Sequence, residues 1–85
     1  MSEIRVGTVF SYFKKVGVAA VKLEADLAIG DTIRVIGATT DFTQKVESMQ
    51  IEKNPVEKAG AGDSVGIKVK DRVRPNDVVY KIVEQ

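Results

Sequence analysis

Turn-forming residues divide this chain into short β-prone segments, and no segment has the length and periodicity of a stable helix. Residues 30–51 are the clearest example. Ile33 and Val35 share one face of a segment whose alternate residues are polar, the period-2 pattern of a half-buried strand. Turn formers follow at 39–41, and 42–51 runs back. The same spacing of turns along the whole chain predicts about six short strands.

Two glycines in the first quarter of the chain refine this prediction. Gly7 interrupts the β-prone segment 3–13, and a glycine inside a strand indicates a bulge or a tight corner. Gly17 follows a pair of lysines and suits the left-handed position of a short hairpin. The sequence therefore predicts a bent first strand that pairs with its immediate successor.

Irregular features also mark the middle of the chain. The hydrophobic residues of 42–51 change faces near Glu47 and Ser48, and because a one-residue slip reverses every side chain, a bulge is predicted there. Asn54 before Pro55 is typical of a helix cap with proline in the first helical position, so one helical turn is expected. This turn begins the longest connection of the chain.

The strand count and the chain length together favour a closed architecture. Six strands in 85 residues would leave sticky edges in an open sheet, and closure into a barrel removes them. We therefore expect residues 1–85 to form one all-β domain, a small closed six-stranded antiparallel barrel.

Composition excludes several classes of function. The chain has no cysteine and no histidine, which removes thiolate and imidazole chemistry, both as metal ligands and as catalytic groups. We expect no enzyme activity, no metal and no cofactor. The N-terminus lacks the pattern of a signal peptide, and no apolar run is long enough to span a membrane, so a cytoplasmic protein without membrane contact is expected.

Basic residues at alternate positions supply one candidate site, although the net charge is only +1. Cations spaced by two share one face of a strand and could follow a phosphate backbone. The alternative is a solvated face whose lysines discourage edge pairing. The candidate nucleic-acid-binding residues are Lys14, Lys15, Arg34, Lys45, Lys68, Lys70, Arg72 and Arg74.

Aromatic residues supply a second candidate. Phe10 and Tyr12 are expected to face the core, as a small barrel needs its large side chains there. Phe13 has the opposite parity and is the best candidate for exposure. A contiguous basic patch would favour a nucleic acid as partner, and an exposed apolar patch centred on Phe13 or Met49 would favour a protein.

Several short motifs follow one another along nearly the whole chain. They are Gly30-Asp31-x-Ile33-x-Val35-x-Gly37, Val46-x-Ser48-Met49, Gly62-Asp63-x-Val65-Gly66-Ile67-x-Val69 and Asn76-Asp77-Val78-Val79. Their order and spacing resemble the second domain of elongation factor Tu. The run TTDFTQ at 39–44, followed by VESMQI at 46–51, resembles a narrower branch. That branch contains stand-alone elongation-factor-like proteins and the C-terminal barrel of collagenase-like peptidases.

This resemblance implies a Greek-key barrel and a non-catalytic module. It supplies no GTP site, since the phosphate-binding loop motif with its lysine is missing from this sequence. The main hypothesis is a binding module that contacts RNA, a ribonucleoprotein or a translation-related protein. The alternative is a protein-interaction subunit that docks in trans onto an enzyme of the collagenase-like peptidase family.

Overall fold

The computed structural model describes residues 2–83, and this part of the chain is all-β with no helix. No helix capable of spanning a membrane is therefore found in that range. The strands are β1 (Ser2–Phe13), β2 (Val18–Leu23), β3 (Leu27–Ala28), β4 (Thr32–Ile36), β5 (Asp41–Lys45), β6 (Met49–Ile51), β7 (Asn54–Pro55), β8 (Lys58–Ala59), β9 (Ser64–Lys68) and β10 (Val78–Val83).

Eight strands form one sheet in the order β5-β4-β10-β1-β2-β9-β6-β7, and β3 pairs separately with β8. All the pairings are antiparallel, as the sequence predicts. The long β1 lies at the centre between β10 and β2. The predicted number of six strands is not confirmed, because residues 27–59 break into several strands of only two to five residues.

A side chain, not a backbone ladder, links edge strand β5 to the far part of the sheet. Gln44 donates its Nε2–H to the carbonyl oxygen of Lys68 at 2.8 Å and accepts the backbone N–H of Lys70 at 2.8 Å. Among the described residues, no ladder joins β5 to β7 at the other end of the sheet. The closed barrel is therefore not confirmed, although one amide group bridges the two parts.

Two register shifts bend β1. The first lies between Arg5 and Gly7, where the sequence predicts a bulge. A Cβ at Gly7 would lie 2.6 Å from the carbonyl oxygen of Lys22, so this crossing requires glycine. The second shift lies between Val9 and Ser11. This shift turns Phe10, the residue between them, to the opposite face of the sheet. No glycine or proline marks the shift in the sequence.

Residues 46–48 confirm the predicted change of parity in a different form. Strand β5 ends before them and β6 begins after them, so the chain uses a gap between two strands instead of a bulge within one. The gap lets Val46 and Met49 both point inward, with 0% and 1% of their surfaces exposed. They join a core built from the inward residues of the sheet, including Val6, Val9, Val21, Leu23, Ile33, Val35, Val65, Ile67 and Val79.

The predicted helical turn at Asn54 and Pro55 is wrong, because these residues form β7 and pair with β6. The intervening residues Glu52 and Lys53 have φ of 50° and 68°. Two positive φ values in a two-residue loop are the signature of a type I′ hairpin. Neither residue is the asparagine or glycine that is typical of this turn, so the turn could not be predicted from the sequence.

Candidate functional site

A groove of about 940 Å³ runs along the outer face of the sheet, where β1, β2, β9 and β6 lie side by side. We call it the aromatic groove. Two phenylalanines and a valine form one wall, small residues form the floor, and the β6–β7 hairpin forms the other wall. Its lining residues are Phe10, Tyr12, Phe13, Lys14, Lys15, Val16, Val18, Ala20, Gln50, Glu52, Lys53, Ser64, Val65 and Gly66.

The aromatic wall is exposed because of local backbone geometry. Phe10 occupies the second register shift of β1 and leaves the core face, with 53% of its surface exposed. Phe13 is 53% exposed and Val16 is 58% exposed. The Val16 and Gly17 N–H groups both donate to the carbonyl oxygen of Phe13, at 3.2 and 2.9 Å, and close a tight turn. Gly17 takes the predicted left-handed conformation with φ of 67°.

The floor of the aromatic groove is low because its residues are small. Ala20 pairs across the ladder with both Ser11 and Gly66, and directly opposed residues share a face. Neither Ala20 nor Gly66 belongs to the hydrophobic core cluster. A Cβ at Gly66 would lie 3.1 Å from a methyl group of Val18. These side chains leave the space above the sheet open.

The hairpin wall carries backbone strain. Non-glycine residues in the left-handed region cost on the order of 1 kcal/mol each, and Glu52 and Lys53 are two in succession. Both side chains are exposed and both line the aromatic groove. The strain therefore coincides with the concave surface.

Charges around the aromatic groove are unequal. Among the described residues that line the groove, Lys14, Lys15 and Lys53 contribute three positive charges, and Glu52 is the only carboxylate. Within residues 2–83, none of these four side chains forms an ion pair. The apolar surface is thus bordered by a rim of net positive charge, which Glu52 offsets only in part.

The structure divides the predicted basic residues instead of bringing them together. Strand β9 ends at Lys68, so the run of alternate cations to Arg74 does not lie on one strand. Lys45, Lys68 and Lys70 line a second groove of about 510 Å³, together with Gln44, Glu47, Ser48 and Val69. We call it the lysine groove. Lys14 and Lys15 lie at the aromatic groove, and Arg72 and Arg74 are exposed on the segment after β9.

Arg34 does not offer a free charge. Its Nε and Nη2 each lie 3.0 Å from a carboxylate oxygen of Asp41, and its Nη1 lies 3.2 Å from Glu3. The hydrogen bonds to Asp41, and then to Glu3, raise the pKa of Arg34 above its usual range. The same guanidinium lowers the pKa of Asp41. The eight candidate basic residues are therefore divided among two grooves, the segment after β9 and the ion pairs of Arg34.

The aromatic predictions have a mixed outcome. The exposure of Phe13 is confirmed, and Met49 is buried. The prediction that Phe10 faces the core is wrong, because the unmarked register shift turns it outward. Sequence reasoning missed the contribution of Val16 and the Glu52–Lys53 hairpin entirely. As to metals, the described part of the chain contains no group of three or more carboxylates that could hold an ion.

No protein-family model matches the chain. It is 46% identical over 83 residues to an uncharacterised protease of Methanocaldococcus jannaschii. It is 43% identical over 81 residues to a collagenase of Porphyromonas gingivalis. These alignments cover 96% and 93% of this chain but only 20% of each relative. The chain therefore spans about one fifth of the length of the curated relatives that it matches.

Solved structures give a matching result over whole chains. The C-terminal domain of a U32 peptidase of Geobacillus thermoleovorans superposes with a TM-score of 0.88 at 26% identity, covering 94% of this chain and 93% of that domain. The selenomethionine form of that domain superposes with a TM-score of 0.85 at 27% identity, covering 88% and 95%.

These similarities correct the main hypothesis. The relatives and the matching domain are protease-like, collagenase-like and U32 peptidase proteins, so the assignment to translation elongation factors and to RNA binding is wrong. The elongation factor Tu domain 2 fold is not confirmed. The narrower resemblance to the C-terminal region of collagenase-like peptidases is confirmed.

Proposed function

We propose that this chain is a non-catalytic protein-interaction module that docks onto the remaining part of a U32 peptidase-like protein, on the same polypeptide or on a separate one. The observation that carries the proposal is the coverage of the similarities. Nearly all of this chain matches about one fifth of each relative, and its fold matches an isolated C-terminal domain. In the relatives, such a unit accompanies a larger peptidase-like region, and we infer that this chain contacts a region of that kind.

The residue content supports a non-catalytic role. Without histidine or cysteine, the chain lacks the usual general bases and sulfur nucleophiles of peptide-bond hydrolysis. Several carboxylates are already engaged: Glu24 binds Arg5 at 2.9 Å, and Asp41 binds Arg34. Asp31 accepts the backbone N–H of Ala28 at 2.9 Å, which fixes a turn. These contacts are structural.

The aromatic groove supports a protein partner. Exposed large apolar side chains that cluster in one concavity are typical of protein interaction surfaces. Phe10, Phe13 and Val16 cluster in this way, whereas Ile4 and Ile29, which are also exposed within residues 2–83, lie outside the groove. We place the docking surface at the aromatic groove.

The scaffold behind this surface supports the same role. The sheet carries the groove on four adjacent strands, and the Gln44 bridge ties its β5 edge to the end of β9. We infer a barrel-like scaffold that is closed at this point by a side chain. A rigid surface loses little conformational entropy on binding, which favours affinity.

A binding measurement tests the proposal. The M. jannaschii relative, with its matching fifth deleted, is titrated with this chain by isothermal titration calorimetry. We expect saturable binding at one site, and a matched titration with the intact relative should show none, because its own domain occupies the surface. Absence of binding to the deleted form, with both proteins folded by circular dichroism, would contradict the proposal.

A further inference from the structure

We propose that the aromatic groove accepts a partner segment in which apolar side chains are flanked by carboxylates. This inference rests on the proposed function, because it specifies the chemistry of the surface that would dock. The observations that carry it are the exposed aromatic wall, the open floor and the net positive rim, all in one groove.

The apolar part of the partner is indicated by the wall and the floor. Phe10, Phe13 and Val16 each expose more than half of their surface, which is hydrated in the free protein. Ala20 and Gly66 keep the floor low, so incoming side chains have space to contact both aromatic rings. A volume of about 940 Å³ is in the range of sites that enclose several side chains or a small ligand.

The acidic part of the partner is indicated by the rim. Lys14 and Lys15 border the aromatic wall, and Lys53 borders the opposite wall. Glu52 offsets one of these charges, and the remainder is positive. A segment with carboxylates on both sides of its apolar residues would meet cations at both walls. Opposite potentials across an interface favour the encounter and exclude partners of the wrong charge.

The strained hairpin gives an independent indication that side chains matter at this wall. An Asn-Gly pair would form the same type I′ turn without strain. The chain instead has Glu52 and Lys53, at φ of 50° and 68°. Strain that persists at a concave surface points to a function for the side chains that cause it. We assign Lys53 to the binding of a carboxylate of the partner. We assign Glu52 to the repulsion of partners that carry an acidic side chain at the position facing it.

Charge also disfavours a second copy of this chain as the occupant. Two copies related by a two-fold axis would apply the same patch to itself. The aromatic groove of one copy would then meet an identical groove with the same net positive charge. Juxtaposed like charges are unfavourable, and one glutamate per copy does not balance them.

A direct test uses labelled synthetic peptides and fluorescence anisotropy. The probe is a short peptide of alternating leucine and aspartate. One control peptide replaces aspartate by lysine, and the other replaces leucine by serine. We expect both controls to bind at least about tenfold more weakly than the probe, since each loses one class of contact. Binding of the probe should also weaken as salt is raised, because the lysines are exposed.

Variants of the chain locate the site. Phe13→Ala should weaken binding of the probe at least about tenfold, as truncation of a central aromatic residue does at many interfaces. Lys15→Glu should weaken it severalfold. The matched controls are Ile29→Ala, an exposed apolar residue outside the groove, and Lys70→Glu, a lysine of the other groove, and both should leave it unchanged. Ala20→Leu, which fills the floor without adding charge, should also weaken it.

The same peptide separates this inference from the proposed function. The probe is added to the complex of this chain with the deleted M. jannaschii relative, and displacement is expected. If that complex forms but the probe neither binds nor competes, this inference is overturned and the proposed function stands. If the probe binds but the complex does not form, the proposed function is overturned and this inference about the chemistry of the groove stands. Equal binding of the lysine–leucine peptide, or self-association that Phe13→Ala abolishes, would overturn the acidic-partner assignment.

Discussion

The aromatic groove and the lysine groove differ in what their polar groups do. At the lysine groove, the side-chain amide of Gln44 donates a hydrogen bond to the Lys68 carbonyl oxygen and accepts one from the Lys70 N–H. The lysine groove therefore follows the line where β5 meets the end of β9, which we call the seam. At the aromatic groove, Phe10 and Phe13 each leave 53% of their surface exposed. Within residues 2–83 the lysines of both grooves form no ion pair, so the two surfaces differ in apolar exposure and in the Gln44 bridge.

This difference shows that charge alone does not identify a binding surface. The lysine groove contains as many lysines as the aromatic groove, together with one glutamate in each. What distinguishes the aromatic groove is apolar surface that remains hydrated and backbone strain at its wall. A change at the seam should therefore alter stability, and a change at the aromatic groove should alter binding.

The largest stability effect is expected from Gln44→Met. Methionine has nearly the shape of glutamine but cannot replace its two hydrogen bonds, so the Lys68 carbonyl and the Lys70 N–H lose their partner. We expect unfolding to become easier by about 1–2 kcal/mol. Urea denaturation measures it. The control is Gln50→Met at the aromatic groove, which should change stability by less than about 0.5 kcal/mol. If both changes lowered the free energy of unfolding equally, the distinction between the lysine groove and the aromatic groove would fail.

Most of the strand pattern could be predicted from the sequence because alternation is local. Ile33 and Val35, like Val65 and Ile67, face the core as their parity requires. The Gln44 bridge could not be predicted, since it depends on residues 24 and 26 positions away that only the folded sheet brings together. The closed six-stranded barrel was expected from edge avoidance and from the resemblance, and neither argument says which groups cover an edge.

The second largest effect on stability is expected at the β6–β7 hairpin, where substitution should stabilise the protein. Glu52→Asn combined with Lys53→Gly supplies the residues that a type I′ turn prefers. Because both positions have positive φ, relief of strain should stabilise the protein by about 1 kcal/mol. Thermal unfolding measures it, with an expected rise of about 4–8 °C for each kcal/mol in a domain of this size. A fall in the unfolding temperature would show that these side chains stabilise the fold and do not serve the groove.

The aromatic groove was only partly predictable for a related reason. Phe13 was found by parity, because it opposes the other large residues of its segment. Phe10 was missed because the register shift between Val9 and Ser11 has no glycine to announce it. Glu52 and Lys53 were missed because a strained turn uses residues that local preference disfavours. The missed positions of the aromatic groove thus lie at irregular backbone, whereas the Gln44 bridge of the lysine groove was missed because its partners are distant in sequence.

A smaller effect is expected from Phe13→Thr, which keeps a β-favouring residue at the end of β1. The phenylalanine is 53% exposed, so its removal takes little apolar surface out of the core. Unfolding free energy should fall by less than about 1 kcal/mol, well under the cost of truncating a buried aromatic residue. Urea denaturation checks it. A loss as large as that of Gln44→Met would mean that the aromatic wall is part of the fold, and the comparison of the two grooves would fail.

The smallest effect concerns Arg34, which the sequence assigned to a basic patch and the structure pairs with Asp41. The guanidinium lowers the pKa of Asp41 in the folded state, so the pair stabilises the fold above the unfolded pKa of about 3.9. This contribution is lost as the pH falls through the folded pKa, when the carboxylate binds a proton. Arg34→Gln should therefore lower stability slightly near neutral pH, and the difference from the unchanged protein should shrink at acidic pH. Urea titrations at several pH values measure it. A difference that grows on acidification would show that Arg34 stabilises the fold through groups other than Asp41.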